Sequence, residues 1–573
     1  MNRKNLTAAV LAGLAGAAGI AGTAQAVNLN PDGLGQVLIY PYYTSNAGNA
    51  TLLSVVNTTD SAKAVKVRFN EGYNSREVLD FNMYMSAYDV WVAAIANNGG
   101  TPTLYIPDST CTVPYLYEQD SNDDGIGEQA FLPYAYTGSN ADGGPTTIAR
   151  AAEGHFEMIE MGTLTDDTHT AKRLGSAEAA THEIDDDGVQ APADCQQLVD
   201  NWTSNPDGMW IDDYTLDIAR NSGGLFGGAA IINVANGTMF SYDARAIQGF
   251  DQSDDAHLHA EPGDLRPNLN SGDQSGATIF FGVPRDEAVN LYYSRPVDAI
   301  SAVFMHEFSM NEYIIDPNLN AASEWIVTFP TKNYYVDRPL IEEETIWIPD
   351  TDDPGCGGWE PGDETPPARS GPHHSDGVDK TDDNSNGIFD AQEDWVLCTF
   401  IEIDDTSAYN PFTSLFDGEA CEAFGFEIWD REEDAGEGAD DPDLPVVSPK
   451  PPPGSGTPGG NEMCYEVNVL RFGNDGVFEP VFGTTSALLL TVDTGSVSYD
   501  GGSASKPRQS GWARINWYAD SDHIDDEGLV GLPVTGFWAE QFENGFEFGP
   551  GVLSNYGGTF SHKGNVRRVS RPR

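Results

Sequence analysis

TLLSVVNTTDSAKAVKVRFNEG, residues 51–72, is the stretch whose reading decides the fold. In its second half Val65, Val67 and Phe69 alternate with Lys66 and Arg68. That period of two gives a strand one apolar face and one polar face. The first half is equally β-prone, and NTTDSA between the halves supplies Asn and Asp side chains that bond their own backbone and turn the chain. Strand, turn and strand at this spacing predict an antiparallel sandwich, with Val65, Val67 and Phe69 in a core and Lys66 and Arg68 in water.

The same pattern extends in both directions. GQVLIYPYYT (35–44), REVLDFNMYM (76–85) and EGHFEMIEMG (153–162) read as strands, and AAIINVANGTMFSYDARAI (229–247) as a hairpin turning at Asn236-Gly237, a pair suited to a type I′ turn. β-rich runs recur at 277–330 and again at 486–560, whereas ADCQQLVDNW (193–202), behind Pro192, is the best of few helix candidates. The expected fold class is all-β, mainly an antiparallel β-sandwich of immunoglobulin-like or related type, with long acidic loop insertions and few short helices. Neighbouring tyrosines on a strand, such as Tyr42 and Tyr43 or Tyr334 and Tyr335, point to opposite faces, so one of each pair is expected at the surface. Exposed aromatics there could stack on sugars or pack against partners.

The chain opens with MNRK, an apolar Ala/Gly-rich run and Ala24-Gln25-Ala26, which reads as a secretory signal peptide over residues 1–26, with a mature chain from Val27. The expected location is secreted, extracellular or cell-surface on a bacterium, or periplasmic. No later segment is apolar enough to predict a membrane span after cleavage. Lys and Arg number 29 against 89 Asp and Glu, a net charge of −60. Such a field repels nucleic acid and anionic membranes, which excludes them as partners, and attracts cations.

Six cysteines in an exported chain imply three disulfides, and sequential pairing gives Cys111–Cys195, Cys356–Cys398 and Cys421–Cys464 among fifteen arrangements. Two stretches interrupt the β pattern. An acidic insertion spans about 111–213 within a scaffold of 27–341. A second, 342–461, is acidic and ends in the linker PVVSPKPPPGSGTPGG. Residues 462–561 supply the last strands. Residues 562–573 form a basic tail, expected either as an idle end or as a contact to the acidic insertion of a neighbouring copy.

VNLNPDGLGQVLIYPYYT, SVVNTTDSAKAVKVRF, EWIVTFPTKNYYV and GLPVTGFWAEQ resemble a family of exported bacterial cell-surface proteins with no established activity, and the resemblance implies location and little else. Chemistry has to come from motifs. DDNSNGIFDAQE (382–393) fits an EF-hand-type calcium loop at every specified position. Asp382, Asn384 and Asn386 alternate, Gly387 makes the turn, Ile388 offers its carbonyl, Asp390 follows and Glu393 closes with two oxygens. Pro372 and Gly377 stand where the incoming helix of a sensor would be, so the expected role is structural. Asp120, Asn122, Asp124 and Glu128 repeat the first part of the pattern without its closing glutamate, and Glu183, Asp185, Asp187 and Gly188 echo it more faintly. Calcium is therefore the expected cofactor, ordering insertions that have no core of their own.

Other constellations carry less. His257, His259 and Glu261 have strand-face spacing for a transition metal but sit in a loop-like stretch. His306-Glu307 lacks the second histidine of a zinc-protease motif. Leu532-Pro533-Val534-Thr535-Gly536 copies a sorting signal without its membrane segment, and Glu153, Glu157 and Glu160 could supply paired carboxylates for glycoside cleavage. The function expected is a calcium-stabilised cell-surface structural or adhesive protein, with self-association or a cell-surface glycan as partner. A glycan-binding module is the alternative, and a secreted polysaccharide hydrolase the third reading.

Overall fold

A computed structural model describes residues 26–184, 190–204, 208–281, 287–316, 318–337, 344–349, 395–400, 411–412, 415–430, 461–474, 480–483, 509–517, 524–525, 527–545 and 554–569. The opening stretch forms what its pattern predicts: strand Asn49–Asn57, a turn, and strand Lys63–Glu71. The two do not pair with each other. Asn49–Asn57 joins a six-stranded sheet in the order Thr238–Asp243, Leu225–Asn233, Asn49–Asn57, Val90–Asn98, Thr101–Ile106, Gly127–Ala130. Lys63–Glu71 joins an eight-stranded sheet, between Glu153–Leu164 and Glu77–Met85, with Val37–Thr44 beyond Glu153–Leu164. Every pairing in the two sheets is antiparallel.

Between the sheets lies one apolar cluster that includes Val65, Val67 and Phe69 with Tyr40, Tyr43, Trp91 and Phe156. Tyr40 stacks on Phe156 with ring centroids 4.1 Å apart. Truncating such an aromatic to alanine costs about 3–5 kcal/mol.

A second pair of five-stranded sheets follows. One runs Asn461–Met463, Glu422–Asp430, Ser510–Asn516, Phe308–Ile314, Lys563–Asn565; the other runs Pro480–Gly483, Val467–Asn474, Ala321–Thr328, Thr535–Phe542, Tyr556–Ser561. Glu422–Asp430 lies within the stretch read as an insertion, yet it is an inner strand of its sheet. Residues up to Asp337 and from Tyr409 form one compact unit; residues 338–408 form another, of which the hairpin Glu344–Pro349 with Trp395–Phe400 is described.

The structure corrects several expectations. Lys66 and Arg68 are buried, not in water. Acids from neighbouring strands make this possible: Lys66 pairs with Asp80, and Arg68 bonds Glu77 at 2.8 Å and Glu157 at 3.0 Å. Tyr42 and Tyr43 do point to opposite faces, but both faces are covered. Tyr43 enters the first core, while Tyr42 joins Ile231, Phe240, Ile326 and Phe537 in a cluster that glues the two sandwiches together. Tyr334 and Tyr335 are buried as well. The 229–247 hairpin forms, but Asn233 pairs with Thr238, so its loop holds four residues in place of a two-residue turn.

The first insertion has apolar contacts of its own. Asp194 caps helix Cys195–Asp200 by accepting the Gln197 N–H at 2.9 Å. Trp202 and Trp210 (centroids 5.4 Å apart) pack with Tyr84 of the sheet. The Cys111–Cys195 disulfide ties helix to sheet, and Cys421–Cys464 is also formed. Both match sequential pairing; Cys356 and Cys398 lie outside the residues described at side-chain level. The basic tail is no free arm. Lys563–Asn565 is an edge strand, Arg567 bonds Glu307 at 2.6 Å, and Arg568 bonds Glu527 at 2.7 Å.

Candidate functional site

Asp382, Asn384, Asn386, Ile388, Asp390 and Glu393 lie outside the described residues, as do the signal segment and Asp185, Asp187 and Gly188. The Asp120 loop is described. One oxygen of Asp120 accepts the N–H groups of Asn122, Asp123 and Asp124, and the other accepts that of Gly125 at 2.7 Å. The Gly125 N–H leads in holding this exposed carboxyl below its usual range. Glu128 is engaged by Ser121 Oγ at 2.7 Å and Asn122 Nδ2 at 3.2 Å. Among the described residues the one convergent His/Cys/Asp/Glu group is Glu419 with Cys421 and Cys464, whose two sulfurs are bonded to each other. Asp120, Asp124 and Glu128 are thus held by their own turn and do not bring three carboxylates to one point.

Among the described residues, His257, His259 and Glu261 do not form a metal site. His259 is buried with Nδ1 2.7 Å from the Tyr214 carbonyl and Nε2 3.1 Å from the Tyr84 hydroxyl, so both ring nitrogens are occupied. Glu157 and Glu160 sit in the ion pairs with Arg68 and Lys63, and Glu153 accepts from the Tyr42 hydroxyl. All three are buried, which denies a sugar access to them. Leu532–Pro533 and Thr535–Phe542 are strands within the fold.

An open cleft of about 540 Å³ lies between the Ser86–Val90 turn, Pro107–Ser109 and the insertion at Thr181–His182 and Gln190. Its geometry is set by Asp89, which accepts the Ser86 N–H at 3.1 Å, the Thr110 hydroxyl at 3.2 Å and its neighbour Val90 N–H at 2.8 Å. Burial holds the Asp89 carboxyl above its usual range despite His182 nearby. His182 Nδ1 is 3.3 Å from Ser86 Oγ and 3.9 Å from Asp89 Oδ2. Both groups face the same ring nitrogen, so no proton relay runs from Asp89 through the imidazole to Ser86; such a relay needs the two on opposite nitrogens. Tyr88 lines the cleft with φ 58°, in the left-handed region that bulky residues avoid, and is 68% exposed. The sequence gives no sign of this cleft, because its walls come from residues a hundred positions apart.

Beside the cleft runs the outer face of the six-stranded sheet. Alternation along four of its strands sends Leu52, Val90, Val92, Phe226, Ile232 and Met239 outward, and Val92 stands opposite Ser54 and Val56 opposite Val90. Asp243 is the one charged residue at the outward positions of these strands. On a chain of net charge −60 that is a local exception.

No protein-family model, curated protein or solved structure matches the chain. The two disulfides fit an oxidising environment, extracellular or periplasmic. No helix among the described residues is long and apolar enough to cross a membrane.

Proposed function

We propose that this is an exported cell-surface structural or adhesive protein that associates with further copies of itself through the largely apolar outer face of four strands of the six-stranded sheet, where Asp243 is the one charged residue. The observation that carries the reading is that face. Two molecules with large like charges repel wherever acids meet, and this surface is where they can approach without that cost. Four strands about 4.8 Å apart and about seven residues long, rising about 3.4 Å per residue, present roughly 450 Å². A stable interface needs about 800 Å² per partner, so a single contact is weak and gains strength from many copies held on one surface. Calcium bound at Asp382–Glu393 belongs to this reading as a stabiliser. At a hundred times its dissociation constant a ligand adds about 2.7 kcal/mol.

Sedimentation velocity in salt high enough to screen repulsion tests the face. The intact chain self-associates with rising concentration, and Val92→Glu with Leu52→Glu remains monomeric. A parent chain that is monomeric throughout sinks the proposal.

The cleft favours a second reading, a glycan-binding module. Tyr88 offers an exposed ring for stacking, and His182, Asp89 and Gln190 offer polar groups for hydroxyls. Binding on a glycan array that Tyr88→Ala removes supports it; an array blank for the parent chain ends it. The hydrolase reading has lost its expected pair, since Glu157 and Glu160 are committed to buried bases.

A further inference from the structure

Where the two sandwiches meet, the fold gathers a buried network of charges around the turn Glu71–Arg76. Arg150 grips two carboxylates at once: Nε and Nη2 reach Glu71 at 2.7 and 3.0 Å, and Nη1 and Nη2 reach Asp142 at 2.8 and 2.7 Å. Glu71 also accepts the N–H groups of Tyr73, Asn74 and Arg76. Arg76 bonds Asp337 at 2.7 Å. Lys332 donates to the Ala420 carbonyl, lies over the rings of Phe329 and Phe412, and is drawn first to Glu422 and then to Glu466. Among the described residues three bases (Arg76, Arg150, Lys332) thus face five acids (Glu71, Asp142, Asp337, Glu422, Glu466), a surplus of two acids.

Glu466 is the acid left over. It is fully buried, and neither Oε1 nor Oε2 has a hydrogen-bond partner. Ser75 and the Asn333 N–H face its carboxyl without closing a bond. Ser75 Oγ, Asn74 Oδ1 and Asn333 Oδ1, on residues of the same network, are likewise buried and unmet. Arg76 Nε is also unmet and points to Asp142 at 3.9 Å. Asn74 is anchored to Asp142 through Nδ2 at 3.1 Å, which leaves its carbonyl oxygen free of that task.

Buried polar atoms left without partners are costly, and a cation that gathers these oxygens would relieve them. A hard ion that takes about six to eight oxygens from carboxylates, amides, carbonyls and water fits this donor set better than a soft metal. We propose that Glu466, with Ser75, Asn74 and Asn333, binds a calcium ion at the seam between the two sandwiches. Backbone already crosses that seam here: Val467 N–H donates to the Gly72 carbonyl at 2.9 Å, and Glu466 N–H to that of Tyr73 at 3.2 Å. The Cys421–Cys464 disulfide fixes the two segments that carry Glu422 and Glu466. The ion locks the turn of the first sandwich to the second. Its proposed ligands are residues other than those of the Asp382–Glu393 loop.

The rival occupant is a proton, since burial pushes the Glu466 carboxyl well above its usual range. Melting of the full chain, in chelator and in millimolar calcium, separates the two. In a Glu393→Gln background, which disables the loop, calcium still raises the melting temperature, and adding Glu466→Gln abolishes that rise. Glu466→Gln also melts no lower than its parent in chelator, because an unmet carboxylate has gone. A calcium response that Glu466→Gln leaves intact, or no response in the Glu393→Gln chain, overturns the site. Terbium provides a second readout that needs no change at Glu466. The rings of Tyr73 and Tyr465 lie 4.5 Å apart beside the site, so bound terbium emits on tyrosine excitation in the Glu393→Gln chain and loses most of that emission in Tyr465→Leu. Equal emission from the two chains overturns the proposal.

Discussion

Lys63 and Glu160 meet across adjacent strands with Nζ 2.6 Å from Oε1, and neither side chain reaches solvent. Glu160 also accepts the N–H groups of Ser222 and Gly223, at 3.0 and 2.7 Å. Removing one partner strands a buried charge. Lys63→Met is expected to cost about 3–5 kcal/mol in urea unfolding, and Lys63→Met with Glu160→Gln to recover a large part of it. A Lys63→Met midpoint equal to the parent's refutes the pair's importance.

The Cys111–Cys195 bridge spans 84 residues of sequence. Closing a loop of that size is worth about 4.5 kcal/mol in the chain-entropy account. Replacing both cysteines with alanine should lower stability and red-shift the emission of Trp202 and Trp210, which pack beside the bridged helix. An unchanged spectrum would show that the aromatic contacts hold without the bridge.

Three histidines make the fold sensitive to acid. Burial pushes their pKa down, to about 3 for His155 and about 4 for His259 and His562. Unfolded, each titrates near 6.5, so between about pH 6.5 and pH 4 the unfolded chain binds the extra protons. Stability falls with decreasing pH across that window, by about 1.4 kcal/mol per pH unit per histidine. Asp337 opposes this: burial, outweighing Arg76, raises it to about 6, so its contribution is lost as pH rises from about 4 to 6. Asp251, raised to about 6 by burial and Asp273, acts likewise. Glu77, Asp89, Glu157 and Glu466, also raised by burial, act in the same direction as these two acids, so the histidine contribution is read by difference: His155→Gln should lose less stability than the parent between about pH 6.5 and pH 4. Equal changes in urea midpoint between pH 7 and pH 5 for the parent and His155→Gln would contradict this.

Truncation after Phe560 removes the Lys563–Asn565 strand and the Arg567–Glu307 pair, and leaves the Glu307 N–H without its acceptor on Asn565. The truncated chain should melt several degrees lower, by calorimetry. Unchanged melting would return the tail to the role of an idle end.

Alternation in AVKVRF was enough to place Val65, Val67 and Phe69 in a core, and Pro192 ahead of ADCQQLVDNW was enough to pick out the helix. Alternation could not tell what covers the polar face. Arg68 stands opposite both Asp80 and Glu157 in register, a complementarity visible only once the strand order is known. The cleft and the Glu466 network were illegible for the same reason. Their residues come from separated segments, and no spacing rule connects Ser75 with Asn333 and Glu466. The Asp382–Glu393 motif could be read at all because its residues are consecutive, and it lies outside the described residues.

The edge strand Lys563–Asn565 also sets an order of events. Every residue of the first core lies between Leu38 and Ala246, so that sandwich can assemble while the rest of the chain is still emerging from a ribosome or an export channel. The Phe308–Ile314 strand has to wait some 250 residues for its last neighbour. Until then its unpaired edge is open to strands of other molecules. Folding of the second sandwich therefore finishes only after the final residues have arrived, and a partner that shields this edge in the interval would act on the time of folding and leave the finished protein unchanged.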